Sequence, residues 1–84
     1  MVYRNKKVKQ TLSDIEKLAW QLNITIRYER TKAKGGLCRV DNNYYIIIDS
    51  KASSEYRVHV ILLALRKFDL SGLYIKPAIR NMIN

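Results

Sequence analysis

The apolar residues of this chain change their spacing from helical to alternating and back again. Ile15, Leu18, Ala19 and Leu22 recur at i, i+3, i+4 and i+7, the mark of a helix with one buried stripe. Ser13-x-x-Glu16 matches a capping box, so the spacing predicts a helix from Thr11 or Ser13, with Asn23 as its stop. Trp20 falls off the stripe and is expected at a rim or against something outside the domain. In "ITIRYER" the period drops to two: Ile24, Ile26 and Tyr28 face one way, Thr25, Arg27 and Glu29 the other, as in a half-buried strand.

"TKAKGG" reads as a loop and "LCRV" as a short second strand. Asp41-Asn42-Asn43 is turn chemistry, because Asp and Asn tolerate left-handed backbone, and it joins that strand to "YYIIID" as a hairpin. Tyr44 to Ile48 are apolar on both faces, which predicts the most buried strand. Tyr44 and Tyr45 point to opposite faces. One of them therefore shares with Ile47 the face away from the helices, unless the C-terminal "LYIKPAIRNMI" folds over it. Ser53 or Ser54 caps a second helix that runs to about Phe68, and Pro77 opens a last short one.

The expected fold is α+β in the order αβββαα. A small three-stranded antiparallel sheet carries two main helices on one face, and a short C-terminal helix follows. No repeat or linker divides residues 1–84, so one domain is expected, with residues 1–10 as a basic N-terminal arm pinned by Tyr3 and Val8.

Charge changes the picture more than composition does. Sixteen Lys and Arg against seven Asp and Glu give a net charge of +9 on 84 residues. Such a field attracts polyanions, and equally it keeps a surface solvated. One cysteine, Cys38, excludes an internal disulfide and fits a reducing compartment. The longest apolar run, Val60 to Leu65, is far below the ~20 residues of a membrane span. With no apolar run behind the basic N-terminus, a cytoplasmic protein with no membrane association is expected.

The second helix, "YRVHVILLALRKF", is apolar on nearly every side, which predicts a central helix or a subunit interface. Its His59 has one acid, Glu55, at i−4 but no second His or Cys at i±3 or i±4, too few ligands for a zinc site, so no metal or other cofactor is expected. From "IEKLAWQLNITIRYE" through "YYIIIDSKASSEYRVHVILLALRKF" the chain resembles the ImmA/IrrE-like zinc metallopeptidases. That resemblance covers about residues 12–68 and matches His59 to the first zinc-binding histidine of their H-E-x-x-H helix. Val60 is read in place of the glutamate base and Leu62 in place of the second histidine, so the resemblance implies a degenerate, inactive relative. The element order is also similar to that of the double-stranded-RNA-binding domain, without its Gly-Pro-x-His loop or the lysine cluster opening its last helix.

No nucleophile has a base beside it in sequence, so no catalytic residue is expected. Arg30, Lys32, Lys34 and Arg39 flank Gly35-Gly36, a loop able to wrap a phosphate or simply to turn a hairpin. With Lys6, Lys7 and Lys9 they form the candidate interface. The expected function is a non-enzymatic basic interaction domain binding an anionic partner, nucleic acid above others. A protein–protein or homodimerisation module is the alternative.

Overall fold

The structure, a computed structural model, describes residues 2–30 and 36–83, with side chains from Lys6 onward. Its elements are α1 (Val2–Gln21), β1 (Ile24–Glu29), β2 (Gly36–Val40), β3 (Asn43–Asp49), α2 (Ser54–Leu65) and α3 (Pro77–Ile83). The fold is α+β in the expected order.

The N-terminal arm is not a separate element. Residues 2–10 are the first half of α1. Neither Gly nor Pro interrupts this stretch, and its Lys and Gln residues are good helix formers, so nothing stops the helix from starting early. Ser13 and Glu16 therefore sit in the helix interior and form no capping box. Asn23 ends the helix in left-handed backbone, φ 61, where the chain turns back into β1.

The sheet is mixed, a correction to the antiparallel expectation. Its order is β1-β3-β2, with β1 parallel to β3 and β2 antiparallel to it. The physical reason lies in β3. It is apolar on both faces, so it takes the centre, while the half-polar β1 and the short β2 take the edges. The β2–β3 hairpin forms as expected across Asp41, at φ 57, with Val40 paired to Asn43.

Register fixes the two faces. Ile24, Ile26 and Tyr28 lie beside Tyr44, Ile46 and Ile48 on the covered face. The helices bring Ile15, Leu18, Ala19, Ile61, Ala64 and Leu65 into the same core. α3 adds Ile79 and Ile83, with Ile75 before it, and Met82 turns outward. Burying a side chain of this size stabilises by roughly 1.5–3 kcal/mol. Tyr45 and Ile47 point to the other face, outside the core cluster, and stay half-exposed.

Candidate nucleic-acid interface and neighbouring grooves

α1 has two sides. Val8, Leu12, Ile15, Ala19 and Leu22 face inward, and at ~100° per residue Lys6, Lys9, Lys17 and Trp20 fall on the opposite side. All four of these are exposed, Trp20 to 78%. The helix's two acids are turned to other work. Asp14 accepts from Gln10 at 3.1 Å and pairs with Lys76 at 3.3 Å, while Glu16 accepts the Tyr28 hydroxyl. Among the described residues the three lysines have neither a hydrogen bond nor an ion pair, so the outer face of α1 is a row of unneutralised cations.

Glu16 is level with Tyr28, which the hydroxyl contact fixes. Lys6 lies about 15 Å further along the helix axis. Arg30, just past the end of β1, lies only about 7 Å further along the strand. Because α1 and β1 run back alongside one another from the turn at Asn23 to the Glu16–Tyr28 contact, Lys6, Lys7 and Lys9 lie toward the end of the sheet to which Arg30 belongs. Lys7 turns toward a shallow groove of about 250 Å³ lined by Val8, Thr11, Glu55, Val58 and Met82.

Arg39 does not join them. It sits at the opposite end of the sheet, where it donates to the Asp41 carbonyl at 2.9 Å and to Asn42 Oδ1 at 3.4 Å. Its guanidinium also lies 5.8 Å from the Tyr44 ring centre, so it braces the hairpin. Lys32 and Lys34 fall outside the described residues. Sequence reasoning missed Lys17 and Trp20 as partners of Lys6 and Lys9. The signal was the helical projection of α1, hidden by starting the helix at Thr11.

A polar cluster adds to the apolar contact between α1 and β1. Tyr28 donates to Glu16, and the Arg57 guanidinium lies 4.5 Å from the Tyr28 ring centre. Arg57 in turn donates to the carbonyls of Ala52 at 3.1 Å and Ser50 at 2.9 Å, fixing the turn into α2. Burial first, and then the Glu16 carboxylate, hold the Tyr28 hydroxyl well above its ordinary pKa of 10.0; Arg57 pulls weakly the other way.

Two further grooves run beside the sheet edges. At the β2 edge, about 280 Å³ of space is lined by Leu37, Tyr56, His59, Val60, Leu63 and Lys67. Counting from His59 in H-E-x-x-H spacing, the second histidine position falls on Leu63, four residues on, and not on Leu62. At the β1 edge, a larger groove of about 540 Å³ is lined by Glu16, Trp20, Asn23, Ile24, Thr25, Ile26 and Tyr28. Among the described residues no group of three His, Cys, Asp or Glu side chains could hold a metal ion, and no helix is long and apolar enough to cross a membrane.

No family model, no curated protein and no solved structure matches this chain.

Proposed function

We propose that this chain is a non-enzymatic nucleic-acid-binding domain that lays the outer face of α1 against the phosphates of a duplex. The observation that carries the reading is the row of unpaired lysines, Lys6, Lys9 and Lys17, on a helix whose own acids are engaged elsewhere. The row spans about 16 Å of helix axis, and a helix of this width enters the major groove of B-form DNA. Lys7 and Arg30 add charge toward the N-terminal end of the row. Lys32 and Lys34 follow Arg30 in sequence and extend the set by that proximity alone. The single thiol of Cys38 supports a reducing, cytoplasmic setting.

The test is fluorescence anisotropy with labelled single-stranded DNA, duplex DNA and duplex RNA, each titrated from low to physiological salt. Duplex binding should survive physiological salt. In a Lys6/Lys9/Lys17→Ala variant it should weaken at least about tenfold, with a log–log salt slope shallower by about 0.9 for each phosphate that a lysine no longer neutralises. Equal binding by parent and variant would overturn the reading.

One observation favours a second reading, a protein-binding remnant of a metallopeptidase. His59 and Leu63, the positions that the resemblance aligns with zinc-binding histidines, open into one groove beside the β2 edge. On this reading the groove holds an extended peptide without cutting it. Stoichiometric zinc in the purified protein, measured by atomic emission, would overturn this reading and reopen that of a metal enzyme.

A further inference from the structure

A sheet edge is a row of unused hydrogen-bonding groups, and β1 is an edge strand. The Glu29 carbonyl accepts the Ser50 N–H at 2.9 Å, so Glu29 turns its backbone toward β3. Backbone direction alternates along a strand, and Thr25 and Arg27 therefore also face β3. Ile24, Ile26 and Tyr28 then direct their N–H and C=O groups outward, and no other described element bonds to them.

Natural edges are guarded by proline, bulges or inward charges. β1 has no proline, and its two charged residues neutralise one another, Arg27 to Glu29 at 2.7 Å. What lies beside the edge is the groove of about 540 Å³, walled on its far side by Glu16 and Trp20 of α1. Trp20 is 78% exposed and lines this groove together with Ile24 and Ile26. A large rigid aromatic beside an open sheet edge is an arrangement in which main-chain bonds give affinity and a side-chain pocket gives selectivity.

We propose that the β1 edge is a docking site for an extended, acidic segment of a partner protein, which adds as a fourth strand and seats an apolar side chain against Trp20. Charge decides between occupants. A second copy of a chain carrying +9 is repelled, whereas an acidic segment is attracted to the same field. The groove's own carboxylate, Glu16, is already held by the Tyr28 hydroxyl. Trp20 borders the lysine row as well, but the open backbone groups of β1 belong to this site alone, so the two readings can fail separately.

The test starts from a phage-displayed library of random peptides of about eight residues, enough to span the six residues of β1. The library is panned against the full chain at physiological salt. Enriched peptides should alternate apolar and polar residues and carry net negative charge. Resynthesised with a fluorescent label, they should bind at least about tenfold more weakly to Trp20→Ala. Because Trp20 is exposed, that variant keeps its fold, which circular dichroism checks. N-methylating every second peptide residue should abolish binding in one phase and spare it in the other, since only one set of amides faces β1. A Lys6/Lys17→Ala variant should keep its peptide affinity within about twofold while its affinity for nucleic acid falls, which separates the two readings. An empty selection, or binders indifferent to Trp20→Ala and to methylation phase, would overturn the proposal. So would a peptide-free dimer in light scattering that Trp20→Ala dissolves, because a second copy would then own the edge.

Discussion

Tyr28 ties three elements together with one side chain. Its hydroxyl donates to Glu16 on α1, its ring carries Arg57 of α2, and its backbone belongs to β1. Removing only the hydroxyl should therefore loosen α1 from the sheet without emptying the core. Tyr28→Phe is expected to cost about 1 kcal/mol, since the bond has a charged acceptor at a half-buried site. In a domain of this size that lowers the melting temperature by roughly 4–8 °C. The pH dependence has a definite sign. Folding raises the Tyr28 pKa above its unfolded value near 10.0, so the folded state holds the proton more tightly. The stabilisation is complete below that unfolded pKa and is lost as the pH climbs beyond it. Denaturant midpoints measured across this alkaline range should fall more steeply for the parent than for Tyr28→Phe. Parallel curves would mean that the hydroxyl contributes nothing to the join.

At the level of elements, two serines test where the helices begin. Ser53 is a true N-cap: its backbone is extended, and its Oγ accepts the Tyr56 N–H at 3.1 Å. Ser53→Ala should cost about 1 kcal/mol. Ser13 resembles a cap in sequence but lies inside α1, where alanine is the better helix former, so Ser13→Ala should stabilise by up to about 0.5 kcal/mol. Thermal melts of the two variants that move the same way would contradict these helix bounds. The contrast also shows what the sequence made legible. Period and turn chemistry placed β1, the Asp41 hairpin and α2, because each has a local cause: alternation, left-handed backbone, a capping hydroxyl. The first half of α1 was hidden because residues 2–10 offer little apolar stripe, Val8 being the one aliphatic side chain packed inward among those described there. Strand pairing was hidden for a different reason. Alternation tells which face Ile26 or Arg27 takes, but not which strand lies beside it. The parallel β1–β3 neighbourhood is a property of the whole packing. The candidate site inherited both gaps: Lys6 and Lys9 were found as an arm rather than a helix face, Lys17 and Trp20 were missed, and Arg39 was grouped with cations from the other end of the sheet.

For the molecule as a whole, the charge that serves the proposed function works against the fold. A net charge of +9 on so small a body repels itself, and the two described ion pairs, Arg27–Glu29 and Lys76–Asp14, offset little of it. Screening should therefore help. Between about 10 mM and about 1 M salt the Debye length shrinks from roughly 30 Å to roughly 3 Å, and the melting temperature should rise over that range. Replacing Lys6, Lys9 and Lys17 by Gln lowers the charge by three and should reproduce part of this gain at low salt. It should flatten the dependence of stability on salt, while the affinity for duplex falls as described above. The two measurements pull in opposite directions only if these lysines are a functional feature carried at some expense to folding. A triple variant that loses stability at low salt would place the lysines inside a stabilising network, and the row on α1 could not then be a free surface awaiting phosphates.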